Sequence, residues 1–492
     1  MPVVLPFRAV RPAGPAATIA ERLSPPYDVI APAERARLAT TAHNPAHLIL
    51  PQDDRAAGEG SRYAVAARTL AAWRAEGALV RDAAPAFYAY EQAFEHRGRS
   101  RVRRGFFGLL ALSPFGEGGV YAHERTLNAP REDRFRLLEA TEANLSPVFV
   151  LYEDSAGDVR RALDAARAKS PLGSARTAEG VESLWAIPDV AAVGAVPNGE
   201  EACAAEGVAH IARGLAAQSV VIADGHHRYE SALRHRDARR AATAAAGGTA
   251  VAGCDFMLAC FVEVTDPGLL VLPTHRVVRG LPPVTASALA ERLAGALVVT
   301  PLGAVAGSEA DAAARAETFL AAHPAGAFVF APAGERALYG LEVPPALRDA
   351  AFGNSPTHAA SRGLDVVQLH ELILGRALGI TPQVLAAQTN VEYVKSAADA
   401  LAIAWSGGGR SGAVAGAAAA SPPTGAFLMN GTPVEQVLST GRAGERMPQK
   451  ATYFLPKITT GWTYHVHEDA ATVWGGRAAG RPWWPPPGLA RA

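Results

Sequence analysis

Cysteine is scarce in this sequence of 492 residues, which contains only 3. Cys203, Cys254 and Cys260 form no Cys-x-x-Cys pair and no even set, which disfavours a disulfide framework and favours buried thiols in a reducing compartment. Net charge is absent as well, because 47 Lys and Arg residues balance 47 Asp and Glu residues. Nucleic-acid-binding proteins usually carry a basic surface, so this balance argues against nucleic acid as a partner.

Long apolar runs and targeting signals are also missing. No uninterrupted stretch of about 20 apolar residues is available to span a bilayer. Residues 1–8 lack the basic and apolar regions of a signal peptide. We therefore expect a cytoplasmic protein that makes no use of a membrane.

The common nucleotide-binding motifs are absent or unconvincing. The sequence has no Gly-Lys-Ser or Gly-Lys-Thr, which excludes a Walker loop. Residues 407–412 match G-x-G-x-x-G, but residues 397–405 before them favour a helix, not the strand that a dinucleotide-binding unit needs. We expect no dinucleotide site there.

The length favours about two to four domains, and the mixture of elements predicts an α+β, multidomain fold. Five regions are expected along the chain: an N-terminal α+β domain at 1–115, a core at 116–280 with an insertion at 155–218, a small α/β subdomain at 281–350, a C-terminal α+β region at 351–465 that completes the functional site, and a tail at 466–492.

Apolar periodicity predicts most of the elements. The predicted helices are 61–76, 131–144, 156–169, 200–216, 228–235, 284–295, 308–322, 364–374 and 397–405. The predicted strands are 44–50 (after a turn), 87–94, 103–112, 148–152, 183–187, 220–223, 256–264, 296–301, 326–331 and 336–342. The arginines from 97 to 104, around the turn of the predicted hairpin, are expected on a solvated face.

The most informative stretch follows the apolar run 220–223. Asp224-Gly225-His226-His227-Arg228 stands where that strand turns into a helix. The N–H groups at a helix start favour anions, an arginine can fork onto phosphate oxygens, and imidazoles can move protons near neutral pH. The pattern predicts a phosphate-binding turn, although Asp-Gly alone is a common turn and a histidine there can be solvated.

Four other stretches carry candidate residues, each with a structural alternative. Ser24-Pro25-Pro26-Tyr27-Asp28 is either a rigid corner or a loop that presents Tyr27 and Asp28 to a site. Thr274-His275-Arg276 repeats the polar pattern at a strand end, and Lys450 and Lys457 lie on a proline-stiffened loop; both can equally be solvated surface. Glu124, after His123, can remove a proton from a hydroxyl, or it can cap a helix or pair with Arg131 or Arg134.

These motifs together resemble two groups of proteins. Asp224 to Arg228 resembles the box of the ParB-like free serine kinases, which phosphorylate the hydroxyl of L-serine. The whole set, including Pro6-Phe7-Arg8 and Met447-Pro448, resembles the bacterial family known as domain of unknown function 1015, sometimes labelled ParB- or Spo0J-like. The resemblance implies that the core at 116–280 has a ParB/sulfiredoxin-like fold.

The resemblance also implies roles for single residues. Glu124 would be the base, with His227 and Asp224 as further catalytic residues, and Asp224 would hold Mg²⁺ or the hydroxyl. Phosphate and substrate contacts would come from a larger set: His123, Thr126, Arg131, Gly225, His226, Arg228, Thr274, His275, Arg276, Lys450 and Lys457. Arg131 stands where such relatives often have lysine. Its planar guanidinium binds phosphate through paired N–H donors, whereas a lysine ammonium group acts as a point charge.

The expected activity is therefore that of a free L-serine kinase, with pyrophosphate, ADP or ATP as donor together with Mg²⁺, and with L-serine or a similar small molecule as partner. A ParB-like nucleotide-binding switch or partition protein is the alternative from another class. A phosphoserine phosphatase that uses the same site is a third possibility. The sequence leaves the donor, the direction and a homodimer open.

Overall fold

The structure is a computed structural model. It describes residues 1–14, 18–54, 58, 60–126, 128–189, 199–216, 218–246, 253–353, 359–387, 389–406 and 421–467. The glycine-rich motif at 407–412 and the tail from residue 468 lie outside the described residues. The chain divides into two compact units, unit 1 with residues 1–121, 128–269 and 456–492, and unit 2 with residues 122–127 and 270–455.

Unit 1 is built on a large mixed sheet. The strands of unit 1 are β1 (Val4–Leu5), β2 (Val10–Pro12), β3 (Leu79–Arg81), β4 (Ala86–His96), β5 (Arg99–Ala111), β6 (Val120–Ala122), β7 (Ala143–Asn144), β8 (Val148–Tyr152), β9 (Gly173–Thr177), β10 (Gly180–Pro188), β11 (Val220–Asp224), β12 (Phe256–Glu263) and β21 (His465–Val466). Among the described residues, nine strands join in the order β6-β11-β8-β12-β5-β4-β10-β9, with β1 beside β5. Strand β12 runs parallel to β8 and antiparallel to β5, which makes the sheet mixed.

The helices of unit 1 are α1 (Pro32–Leu38), α2 (Ala46–Ile49), α3 (Arg62–Ala75), α4 (Asn128–Thr141), α5 (Asp158–Arg167), α6 (Gly199–Ala216) and α7 (His226–Ala245), with short 3-10 turns at Ala20–Arg22, Tyr27–Val29 and Gly253–Asp255. Apolar residues of the sheet and of α5, α6 and α7 form one core, in which Tyr152, Ile211 and Tyr229 are almost fully buried. A smaller core joins α3, α4 and the C-terminal strand β21. The start of α7 is thus fixed by packing on the sheet.

Unit 2 is a six-stranded antiparallel sheet with helices. Its strands are β13 (Leu270–Leu272), β14 (His275–Arg279), β15 (Val298–Ala304), β16 (Ala327–Pro332), β17 (Ala337–Glu342), β18 (Val391–Val394), β19 (Pro423–Met429) and β20 (Tyr453–Leu455). The order is β15-β17-β16-β19-β14-β18, and β13 pairs with β20 in a separate two-stranded ladder. The alternating apolar residues of β16 and β19 explain why the centre of this sheet is buried on α9 and α14.

The helices of unit 2 are α8 (Ala286–Arg292), α9 (Glu309–Ala322), α10 (Pro345–Phe352), α11 (Ala359–Arg362), α12 (Asp365–Gln368), α13 (Pro382–Ala387), α14 (Ala397–Ser406) and α15 (Val434–Arg442). The predicted helix 364–374 is α12 followed by a π-helix at Leu369–Ala377. A capping box of Ser308 and Asp311 begins α9, where the sequence placed the helix start.

Most predicted elements are confirmed, and so is a multidomain α+β architecture with one large mixed sheet and several smaller sheets. The strand predicted at 44–50 is wrong, because Ala46–Ile49 is helical. Pro45 has helical dihedral angles, and the Asn44 side chain accepts the N–H of Ala46 at 3.0 Å, which starts the turn. No helix in the described part of the chain combines the length and apolar character needed to cross a membrane.

The expected solvated arginine face is wrong for Arg103, which is only 2% exposed. Its guanidinium donates to the side chain of Gln92 on the paired strand and lies 5.1 Å from the ring centre of Phe149. Burial lowers the pKa of Arg103, and nearby acidic groups oppose that shift. The apolar side of the hairpin therefore contains a charge that periodicity did not indicate.

Candidate functional site

The predicted phosphate turn lies in unit 1, where β11 meets α7. The register of β11 against β8 shifts between Ile222 and Asp224, and such a bulge re-aims the side chain that follows it. Gly225 then has φ +89° and ψ +24° at the N-cap of α7, a left-handed conformation that glycine adopts without steric cost. The N-cap residue is a glycine, which has no side chain to cap the helix, and the N–H groups at a helix N-terminus favour an anionic ligand.

Asp224 brings two cationic groups together at this turn. Its Oδ2 lies 3.4 Å from Nζ of Lys457 and 3.5 Å from Nη2 of Arg228. The Lys457 side chain is only 7% exposed, whereas Asp224 keeps 25% of its side chain exposed. Two cations therefore contact one carboxylate, and closely placed cationic groups favour an anion.

Arg228 is held from three sides. Its Nη1 donates to the carbonyl oxygen of Pro147, and its Nη2 donates to Asp224. A Cβ at Gly225 would lie 2.9 Å from the same Nη2. Glycine is therefore needed at this position both for the backbone conformation and for the close approach of the guanidinium.

The remaining predicted residues of unit 1 are His226 and His227, which follow Gly225 in the sequence, and Arg131, which lies on α4 and contacts α7. His226 is buried and His227 is half-buried, and they are the first two residues of α7. Nη1 of Arg131 on α4 lies 3.4 Å from the Glu230 carboxylate on α7, and the hydroxyl of Ser231 donates to the carbonyl oxygen of Arg131 at 2.9 Å. Arg131 is the most exposed of these cations.

A buried network supports Lys457, and the sequence did not indicate it. Glu182 of β10 is 1% exposed and accepts hydrogen bonds from Trp462 Nε1 at 2.7 Å and from the hydroxyl of Thr459. Nε2 of Gln92 donates to the carbonyl oxygen of Lys457 at 3.0 Å and to Glu182 at 3.3 Å. Glu182 therefore fixes the segment that carries Lys457.

In unit 2, Glu124 is joined to the Lys450 loop. The backbone N–H of Lys450 donates to Oε1 of Glu124 at 3.0 Å, and Lys450 itself has φ +56°. The N–H of Met447 donates to the carbonyl oxygen of His123 at 2.7 Å. Nε2 of the buried His123 is 2.9 Å from the hydroxyl of Thr452. These bonds hold the Glu124 carboxylate in one orientation.

Arg276 stabilises the same loop from inside unit 2. It is 0% exposed, and its Nη2 donates to the carbonyl oxygen of Lys450 at 3.1 Å while its Nη1 donates to the carbonyl oxygen of Thr274. Its Nε donates to Nε2 of His370 at 3.2 Å. Burial lowers the pKa of Arg276 to about 10 and, together with the Arg276 charge, lowers that of His370 well below its usual value.

The predicted site residues are thus divided between the units. Unit 1 holds Arg131, Asp224, Gly225, His226, His227, Arg228 and Lys457, and unit 2 holds His123, Glu124, Thr126, Thr274, His275, Arg276 and Lys450. Thr274 and His275 are buried at the start of β14, and Nδ1 of His275 accepts the N–H of Met429 at 3.3 Å. Thr126 is half-buried.

The described residues contain no group of three or more His, Cys, Asp or Glu side chains that could hold a metal ion. Asp224 supplies a single carboxylate, which already faces two cations. Mg²⁺ is often bound by one or two carboxylates together with water and substrate phosphates. The donor set therefore fits a Mg²⁺ ion that arrives with a phosphate compound and does not fit a resident metal.

Several solved structures are similar at a great distance. A free serine kinase mutant in complex with AMP has a TM-score of 0.31 and 11% identity, over 70% of this chain and 89% of that chain. A conserved hypothetical protein from Pyrococcus furiosus has a TM-score of 0.30 and 13% identity, over 71% and 91%. SbnI with a C-terminal truncation, from Staphylococcus aureus, has a TM-score of 0.31 and 11% identity, over 73% and 87%.

No curated protein matches this sequence. The model of the family described as Protein of unknown function (DUF1015) matches residues 4–367. The match spans most of the chain and includes Glu124, the Asp224–Arg228 turn and Arg276. This chain is therefore a member of the DUF1015 family, as its set of motifs predicted.

Proposed function

We propose that this protein is a phosphotransferase that acts on the hydroxyl of a small molecule, with L-serine as the first candidate acceptor. The observation that carries the proposal is the cluster of Asp224, Lys457 and Arg228 at the start of a 20-residue helix whose N-cap is a glycine. Phosphoryl transfer depends mostly on positioning and on neutralising the charge of the phosphate oxygens. A buried lysine beside a helix N-terminus supplies both.

Each residue of the cluster has a proposed part. The N–H groups of His226 and His227, the Arg228 guanidinium and the ammonium group of Lys457 bind the phosphate oxygens, and the His227 ring donates to or takes a proton from them. Asp224 orients Lys457. Arg131, more exposed, is an outer phosphate contact. Mg²⁺ bound with the donor would add charge neutralisation between phosphate oxygens.

We assign the base to Glu124, following the resemblance of His123-Glu124 to the free serine kinases. Its Oε1 accepts the Lys450 N–H, which leaves a carboxylate of fixed orientation with further lone pairs for a hydroxyl proton. Because Arg276 is fully buried, we assign to it the support of the Lys450 loop and not a direct phosphate contact.

Phosphorus NMR on the full chain with L-serine and Mg²⁺ tests the proposal, with pyrophosphate, ADP and ATP supplied in separate tubes. A phosphoserine resonance in one tube would establish the activity and name the donor. Phosphate release from added phosphoserine, without any forward reaction, would indicate the phosphatase. The absence of a phosphoserine resonance in every tube, together with tight nucleotide binding, would indicate the ParB-like switch.

A further inference from the structure

A cavity of about 40 Å³ lies in unit 1 beside the phosphate turn. Its polar lining consists of Tyr27, Arg134, Asn144, Ser146, Arg228 and Ser231, and leucines supply much of the rest. None of the described residues that line it is acidic. The cavity shares Arg228 with the cluster around Asp224, and it includes the tyrosine of the Ser24–Asp28 motif.

One buried hydrogen-bond donor at this cavity has no acceptor among the described residues. Nε of Arg228 is buried and makes no hydrogen bond. The Tyr27 hydroxyl is a second donor in the lining of the cavity, and the Arg134 guanidinium lies 4.2 Å from the centre of the Tyr27 ring. Burial, with the Asp28 charge, raises the pKa of Tyr27 to about 12, so the hydroxyl keeps its proton at neutral pH. Buried donors without partners are rare and indicate a missing acceptor.

The size of the cavity limits that acceptor. About 40 Å³ holds roughly three water-sized groups, which is the size of a carboxylate and smaller than a phosphate. The Arg134 donors already bind Asp133 and the carbonyl oxygen of Ile49, so the new contacts fall to Tyr27 and Arg228.

We propose that this cavity binds the carboxylate of the acceptor through the Tyr27 hydroxyl and Arg228 Nε. The acceptor is then a small carboxylic acid with a hydroxyl on a short side chain. This inference rests on the proposed function, because it concerns the part of the acceptor remote from the reacting hydroxyl. It also gives the Ser24–Asp28 motif a role in acceptor specificity.

The test uses ligands that cannot be phosphorylated. Binding of L-alanine, L-alaninamide and inorganic phosphate to the full chain is measured by calorimetry, with Tyr27→Phe as the variant and Tyr63→Phe as the control. Tyr63 is also in unit 1, and its hydroxyl donates to Asp133 at 2.9 Å. We expect L-alanine to bind at least about tenfold more tightly than L-alaninamide, and we expect Tyr27→Phe to weaken only L-alanine, by about tenfold.

Equal binding of L-alanine and its amide, or Tyr27-dependent binding of inorganic phosphate instead, would overturn the carboxylate assignment. Kinetic measurements separate the carboxylate assignment from the proposed kinase activity. If phosphoserine forms and Tyr27→Phe leaves the KM for L-serine unchanged, the kinase stands and the cavity assignment fails. If L-alanine binding depends on Tyr27 but no phosphoserine forms with any donor, the cavity assignment stands and the kinase fails.

Discussion

Lys457 and Asp224 belong to distant parts of the sequence, yet Nζ of Lys457 lies 3.4 Å from Oδ2 of Asp224. The carboxylate holds the ammonium group near the N-terminus of α7, where a phosphate is proposed to bind. Because Lys457 is almost fully buried, its charge is weakly screened and interacts strongly with an anion.

Lys457→Met is expected to lower kcat/KM for phosphoryl transfer by at least about 100-fold, since it removes a charge that acts on the phosphate in the transition state. Lys457→Arg should restore part of the loss. Lys169→Met, at an exposed position of unit 1, is the matched control and should keep full activity. Steady-state kinetics with each candidate donor checks this; equal rates for the Lys457 and Lys169 variants would remove Lys457 from the mechanism.

Gly225→Ala is expected to abolish phosphate binding while Gly77→Ala is not. Both glycines have positive φ, +89° and +77°, so each substitution costs about 1–2 kcal/mol of backbone strain. Only at Gly225 does the new Cβ meet the Arg228 guanidinium, since nothing lies within 4 Å at Gly77. Calorimetry with pyrophosphate, alongside thermal unfolding of both variants, separates the displaced arginine from the shared strain. Similar losses of affinity in both variants would contradict this role of Gly225.

Glu124→Gln is expected to lower kcat by about 10²–10⁴-fold and to leave KM nearly unchanged, because glutamine keeps an oxygen for the Lys450 N–H but cannot take a proton. Glu342→Gln, at a carboxylate with 37% exposure in the same unit, is the control. Single-turnover kinetics measures the chemical step directly. A Glu124→Gln enzyme with unchanged kcat would show that the base lies elsewhere.

Glu182→Gln is expected to destabilise unit 1 by about 3 kcal/mol, because it removes a buried charge that accepts several hydrogen bonds. Activity should fall too, since Gln92 donates both to the carbonyl oxygen of Lys457 and to Glu182, and Thr459, two residues after Lys457, also donates to Glu182. Glu206→Gln, at an exposed glutamate, should change neither. Hydrogen exchange of the β10 amides reports the stability; unchanged protection would mean that Glu182 contributes little to holding this segment.

The stability of unit 1 is expected to fall between pH 7 and pH 5. His467 lies with its ring centre 5.6 Å from that of His235 and 5.1 Å from that of His465. Burial, the two neighbouring rings and Arg239 lower the pKa of His467 well below its usual value. Burial and then Arg239 also lower the pKa of His235, opposed by Glu142.

These histidines take up protons at a lower pH in the folded state than in the unfolded chain, where a histidine is protonated near pH 6.5. Their contribution to the free energy of unfolding is therefore complete above pH 6.5. It is lost as the pH falls below 6.5, by up to about 1.4 kcal/mol per pH unit for each histidine. Denaturant midpoints at pH 7.5, 6.5 and 5.5 measure the slope. His467→Phe, which also removes two buried nitrogens without hydrogen bonds in the described chain, should flatten it. An unchanged slope in this variant would assign the acid sensitivity to other groups.

Local patterns predicted the strand, turn and helix around Asp224 because their determinants are adjacent in the sequence. The β-branched run before Asp224 and the Asp-Gly pair after it define a strand, a turn and a helix within a few residues. The same holds for the hairpin of β4 and β5 around Arg97 and Gly98. Neither prediction required knowledge of tertiary packing.

The supports of the site could not be predicted in this way. Glu182 lies on β10, a strand of nine residues whose pattern gives no sign that Trp462 will donate to it. The polar His370 in an apolar helix was a signal of a buried partner, but only the fold shows that the partner is Arg276. The ParB/sulfiredoxin-like core and the individual site roles stay predictions.

Unit 1 is discontinuous, and this has a consequence for the order in which the protein matures. During synthesis, all of unit 2 leaves the ribosome before residues 456–467 do. Until then, Glu182 lacks Thr459 and Trp462, which follow it by 277 and 280 residues, and the Asp224 turn lacks Lys457. A nascent chain would hold the Glu182 carboxylate without these two donors for this whole interval, and chaperone binding to this part of unit 1 would last until Lys457 and its neighbours are synthesised.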